Sequence, residues 1–156
     1  MASIRKIIVA CDFSDYSPAI MRHAASLAAD LGAELVAVNV INQRDVNMMH
    51  RVAVEYPGFS VEEYIAREHR ERISKLTLMV AETGFNPPQV RHVVRVGVPF
   101  QEILDLIDSE DAGLLVMGTR GRGHLAGVIL GSTAEKIFRR CPIPLMSIRE
   151  KSAGGE

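Results

Sequence analysis

The segment Glu34-Leu-Val-Ala-Val-Asn-Val-Ile41 limits the possible folds more than any other stretch of this chain. It is β-branched and apolar on both faces, the mark of an interior strand in a sheet covered on both sides. Four further runs read as strands: Ile4 to Ala10, Val90 to Val96, Leu114 to Met117 and Leu145 to Arg149. Helical patterns alternate with them. The first has Ile20, Ala24, Leu27, Ala28 and Leu31 at helical spacing. Ser14, Asp15 and Ser17 are its candidate caps, Pro18 suits its first turn and Gly32 stops it. The second opens on the capping box Ser60-Val-Glu-Glu63 and ends at Gly84. The third follows Gly97-Val-Pro99, with Ile103, Leu104 and Ile107 on its apolar face, and the fourth runs from Thr133 to Arg140. Strands alternating with helices predict an α/β domain, an open parallel sheet with helices on both faces.

Two stretches fit this scheme less well. From Asn42 to Phe59 the periodicity breaks down, and a mobile connection with a helical turn or two is expected. Inside the second helix, Arg67-Glu-His-Arg-Glu-Arg72 is a charge run, read as a solvated face with i,i+4 pairs.

The chain of 156 residues is the length of one domain, assigned to 1–150, with 151–156 expected as a disordered tail. With 47% apolar and 24% charged residues it is long and apolar enough to bury a core. A formal net charge of −1 argues against a nucleic-acid binder, which would show a basic excess. No apolar run approaches the ~20 residues of a membrane span, and the amino terminus lacks a signal-peptide pattern. Cys11 and Cys141 stand apart without a Cys-x-x-Cys pair, so reduced thiols and a cytoplasmic location are expected.

Chemistry concentrates between the fourth strand and the fourth helix. Gly118-Thr-Arg-Gly121-Arg-Gly-His-Leu-Ala-Gly-Val-Ile-Leu-Gly131-Ser132-Thr133 is a glycine-rich loop leading to a helix start. Glycines let the backbone approach a ligand closely, and the unpaired N–H groups of the helix start attract anions. Ser132 adds a hydroxyl, and Arg120 and Arg122 add positive charge. Other phosphate motifs fail: Gly131 is followed by Ser132 without the lysine of a Walker loop. After Gly121-x-Gly123, glycine returns only at Gly127, which breaks the dinucleotide fingerprint.

The spacing Gly118-x2-Gly121-x9-Gly131-Ser132 resembles that of nucleotide-binding members of the universal stress protein family, and the resemblance extends from Ile4 to about Arg149. It implies a five-stranded sheet of order 3-2-1-4-5, Rossmann-like and similar to adenine nucleotide alpha-hydrolases. Ligands of such sheets bind beyond the strands' carboxyl ends, where strand order reverses. By the same resemblance, Asp12 in Val-Ala-Cys-Asp-Phe-Ser lies near the ribose, with Ala10 just before it. Val40 and Met117 border the base, and Gly118, Arg120, Gly121, Gly131, Ser132 and Thr133 hold phosphates. An aspartate at position 12 also suits a helix cap, and Val40 and Met117 suit the core.

The resemblance implies ATP, with ADP or AMP as alternatives, accompanied by Mg²⁺, in a cytoplasmic stress-response module with an unknown protein partner. It also implies a homodimer through the last strand. The other readings are a dimeric interaction module that binds no nucleotide, and a weak ATPase or an enzyme acting on a phosphorylated small molecule. Catalysis finds little support: Gly131-Ser132-Thr133-Ala134 is no nucleophile elbow, and the pyrophosphatase loop Ser-Gly-Gly-x-Asp-Ser is missing after the first strand. The five histidines lack zinc-ligand spacing. His124 within the loop can reach phosphate or stand idle. The acidic cluster Asp105, Asp108, Glu110 and Asp111 reads as helix-end solvation.

Overall fold

The computed structural model describes residues 3–119 and 131–149. In chain order it contains β1 (Lys6–Ala10), α1 (Ser17–Leu31), β2 (Glu34–Asn42), α2 (Gln43–Glu55) and α3 (Val61–Ala81). There follow β3 (Val90–Gly97), α4 (Pro99–Glu110), β4 (Leu114–Gly118), α5 (Ser132–Arg140) and β5 (Leu145–Ile148). The strands form one parallel sheet of order β3-β2-β1-β4-β5. Sequence patterning and the family resemblance together led to this architecture, although periodicity alone gave no strand order.

Alternation along the central strands divides the core into two layers. Ile7 and Val9 of β1, with Leu35, Ala37 and Ile41 of β2, pack against α1, α2 and α3. Ile8, Val36, Val38 and Leu115 face the opposite way, onto α4 and α5 through Phe100, Ile103, Leu106 and Ile137. Residues buried on both faces explain why β2 lacks the polar alternation of a half-exposed strand. Each fully buried Ile, Leu or Val contributes roughly 1.5–3 kcal/mol relative to exposure.

The 42–59 connection is the main departure from expectation, since most of it is the helix α2. Asn42 caps it, its Oδ1 accepting the Arg44 N–H at 3.0 Å, and Asp45 in the first turn complements the helix dipole. Val46, its only fully buried residue, anchors it to the core, with Met49 and Ala53 alongside. One anchor amid polar residues makes a weak sequence pattern. At α1 none of the three candidate caps precedes the helix directly: Tyr16 does, without a side-chain cap. Gly32 ends the helix as expected, at φ 64°. The capping box of α3 forms by half, with Ser60 Oγ accepting from the Glu63 N–H at 3.2 Å and donating to Glu62 at 3.3 Å.

At the amino ends of the strands, charges lock the sheet. Lys6 of β1 meets Glu34 of β2 at 3.4 Å and Glu110 of α4 at 3.1 Å. Arg91 of β3 bonds to Glu34 at 2.8 Å and also to Glu110. Glu110 is thus an ion-pair partner rather than solvated helix-end charge, while Asp111 closes α4 at φ 51°. Burial alone would raise the Glu34 pKa, but hydrogen bonding and charge from Arg91, aided by Lys6, hold it below the usual glutamate value.

Candidate functional site

Strand order reverses between β1 and β4, and the carboxyl ends diverge there into a cleft of about 640 Å³. Ala10, Asp12, Val40, Met117, Gly118, Gly131, Ser132 and Thr133 all line it, so eight residues picked out in the sequence converge in space. Arg120 and Gly121 fall outside the described residues, as do Arg122 and His124. One wall comes from the N-terminus of α5, with Pro99 and Ile103 of α4. The other comes from the opposite layer: Asn42, Arg44 and Asp45 around the start of α2, and Arg72 of α3.

The α5 wall is built to meet negative charge. Its N-cap is Gly131, which has no side chain to take up the first backbone donors. The first intrahelical bond is Glu135 N–H to Gly131 C=O at 2.9 Å, so the N–H groups of Ser132, Thr133 and Ala134 precede the ladder. All three residues border the cleft. Gly131 N–H donates to the Thr119 carbonyl at 3.0 Å.

Asp12 stands where β1 gives way to α1. Its Oδ1 accepts from the Ser14 N–H at 2.9 Å and from Ser17 Oγ at 3.1 Å. The carboxylate therefore organises the helix start from outside, which is the structural part of its expected double role. The intervening Phe13 adopts φ 59°, uncommon for a bulky residue. Cys11, beside it, packs its thiol against Met79 Sδ at 3.7 Å, and burial pushes the thiol pKa up.

The end of β2 exposes backbone rather than side-chain chemistry. Glu34 N–H bonds to Arg5 C=O and Val38 C=O accepts from Cys11 N–H, so even-numbered residues of β2 turn their polar groups toward β1. The β1 ladder stops at Ala10 opposite Val38. Beyond it, the Cys11 carbonyl is taken by Asn39 Nδ2 at 2.8 Å. Val40 therefore presents its N–H to the cleft without a partner among the described residues. Its carbonyl receives Arg72 Nη1, at 3.4 Å.

Sequence reasoning missed Arg72. It belongs to the charge run of α3 and makes the expected i,i+4 pair, Nη2 to Glu68 at 3.0 Å, yet this pair lies inward rather than on a solvated face. The Arg72 side chain is 16% exposed, and its guanidinium also donates to Asn39 Oδ1 at 2.9 Å. Asn39 is buried, so its amide links α3, β2 and the tip of β1. Among the described residues, no group of three or more His, Cys, Asp and Glu side chains is placed to hold a metal ion. Nor is any helix among them long and apolar enough to cross a membrane.

These features define a doubly wound α/β domain with its cleft at the topological switch point. The chain belongs to the universal stress protein family, whose pattern it matches over residues 3–149. It is 29% identical over 146 residues to universal stress protein MJ0531 of Methanocaldococcus jannaschii, covering 94% of this chain and 82% of that one. The solved structure of MJ0577 from the same archaeon superposes with a TM-score of 0.77 at 20% identity, covering 97% of this chain and all of that one. A universal stress protein from Archaeoglobus fulgidus, solved in complex with dAMP, superposes with a TM-score of 0.65 at 22% identity, covering 94% and 99%.

Proposed function

We propose that this protein binds an adenine nucleotide in the cleft, ATP in the first place and ADP or AMP as alternatives. Its output is then a nucleotide-dependent conformation or partner contact in the stress response. The observation that carries this reading is the pairing of the Val40 backbone edge, beyond the end of the β1 ladder, with the α5 N-terminus. A donor beside an acceptor on one extended residue complements adenine, whose N1 accepts and whose 6-amino group donates. Guanine, with a protonated N1 and a 6-oxo group, presents the opposite pattern. The N-terminus of α5 suits phosphate through unpaired N–H groups and the helix dipole. Asp12, between the two, suits the ribose, since a carboxylate accepts bonds from hydroxyls. The dAMP held by the Archaeoglobus relative supports an adenine ligand.

Mg²⁺ would ride on the triphosphate with most of its waters, which needs few protein ligands. Any ATP hydrolysis in this reading would be slow. The same reading includes a homodimer through β5, an edge strand with Met146 and Ser147 exposed. It also includes an unidentified protein partner and a cytoplasmic setting. Mass spectrometry of nucleotide released from freshly purified, denatured protein tests the central claim. Adenine nucleotide approaching one per chain is expected. Its absence after careful handling, with no ATP binding by calorimetry, would leave a nucleotide-free interaction module.

A further inference from the structure

Arg72 has donors to spare where a base would sit. A guanidinium carries five N–H groups. Nε and one Nη2 proton go to Glu68, at 3.3 and 3.0 Å. The Nη1 protons go to Asn39 Oδ1 at 2.9 Å and to the Val40 carbonyl at 3.4 Å, the latter long for a hydrogen bond. Among the described residues, one Nη2 proton remains without a partner. Because Nε and Nη2 share Glu68 along one side of the plane, this last proton points along the Nη1–Nη2 edge, and Arg72 borders the cleft together with Val40. Glu68 and Asn39 fix the guanidinium from two directions, so little side-chain entropy is left to lose on binding.

We infer that Arg72 is a specificity-determining residue that reads N7 of the purine, on top of the two-point contact with the Val40 backbone. The inference rests on the adenine reading above. With N1 at the Val40 N–H and the 6-amino group at the Val40 carbonyl, N7 falls on the far side of the amino group. That is the carbonyl side, where Arg72 stands. The site then offers donor, acceptor, donor to a base that offers acceptor, donor, acceptor. The Val40 carbonyl has two lone pairs, so the amino group and Nη1 can share it. Glu68 balances the guanidinium charge, and this keeps a cation beside a neutral base from requiring a second anion.

The discriminating ligand is 7-deaza-ATP, which carries a C–H in place of N7 and keeps the ribose, the phosphates and the Watson–Crick edge. A charge-assisted hydrogen bond separates the two ligands by about ten-fold in affinity or more. Calorimetry on wild-type protein is therefore expected to give ATP about ten-fold tighter binding than 7-deaza-ATP. In Arg72→Met, which keeps an apolar stem, ATP should weaken and the two ligands should bind equally. The ratio of the two ligands cancels any general loosening of Asn39, so a merely structural role for Arg72 would leave discrimination intact in the variant. Equal binding of both ligands to wild type overturns the N7 contact and leaves the adenine reading standing. No binding of ATP to wild type overturns both.

Discussion

Replacing Asp12 by alanine should separate the two roles of this carboxylate. On the structural side the loss can be worked out from two bonds, Ser14 N–H to Oδ1 at 2.9 Å and Ser17 Oγ to Oδ1 at 3.1 Å. Ser17 is 2% exposed, so alanine removes the carboxylate acceptor of a buried hydroxyl as well as that of a turn N–H. A hydrogen bond to a charged acceptor is worth about 1.5–3 kcal/mol, and an orphaned buried donor costs about 1–3 kcal/mol. Relaxation and water recover part of this, so the expected loss is about 2–3 kcal/mol. For a chain of this size that is a fall in Tm of roughly 4–12 °C. Asparagine keeps an acceptor at the same place and should lose under about 1 kcal/mol, since the neutral bonds are weaker but remain made. On the ligand side, calorimetry below the melting range should show ATP weakened about ten-fold or more by alanine, with inorganic triphosphate changed less than about two-fold. Only ATP brings a ribose to the carboxylate. Urea denaturation gives the stability term and calorimetry the ligand term. Equal loss for both ligands would refute the ribose contact, and asparagine as damaging as alanine would refute the account of the turn.

The other expectations are independent of that one. Gly131→Val should abolish ATP binding while circular dichroism and Tm stay close to wild type. Among the described residues a Cβ there meets only the Thr119 carbonyl, at an ordinary 3.8 Å, yet it would stand in the cleft at the proposed phosphate end; unaltered affinity would remove the loop from the site. Glu34→Gln should cost about 1 kcal/mol near neutral pH, because Lys6 and Arg91 lose one of their two shared carboxylates and keep Glu110. Since the folded-state pKa of Glu34 lies below the ordinary 4.5, its contribution is present above that value and fades as pH falls through the folded pKa. The wild-type advantage in urea midpoint should therefore shrink below about pH 4.5, and a gap that does not change with pH would contradict this. Ser147→Pro should convert the proposed dimer to monomer or aggregate in light scattering. Pro144 and Ile148 direct their carbonyls to β4, so the Ser147 N–H points outward and its loss spares the internal ladder. A variant dimer as stable as wild type would exclude the β5 edge as the interface.

What the sequence revealed follows from how locally each feature is encoded. An apolar run with no polar alternation, such as Leu35 to Val38, needs burial on both faces whatever lies around it, so β2 could be read directly. Gly131, Ser132 and Thr133 were readable because a helix start has unpaired donors regardless of tertiary context. Arg72 was not readable. Spacing alone makes Glu68 and Arg72 a pair, and only the packing of α3 over the end of β2 turns it inward. Helix α2 stayed hidden because a single deeply buried residue, Val46, anchors it. The Val40 edge depends on where its neighbour stops, which no property of Val40 itself reveals.

The two ends of the sheet are finished by opposite means. At the amino ends, Lys6, Glu34, Arg91 and Glu110 join β1, β2, β3 and α4 through ion pairs that no ligand needs to complete. At the carboxyl ends the Val40 N–H and the first N–H groups of α5 face the cleft, where water is their default partner. A nucleotide bonded to both would bridge the layers on either side of the sheet, since Arg72 and α2 belong to one and α5 to the other. The coupling has a thermodynamic consequence: a ligand that binds only the folded chain stabilises it by about 2.7 kcal/mol at a hundred times its Kd. For this chain that corresponds to a rise in Tm of roughly 5–11 °C. The gain should be concentrated at the carboxyl ends, so hydrogen exchange on adding ATP should slow at Val40 and Ser132 to Ala134 while the amino ends of β1 and β2 are unchanged. Protection spread evenly over the sheet would mean that ATP acts by mass action on global unfolding alone, without fastening the two layers to each other.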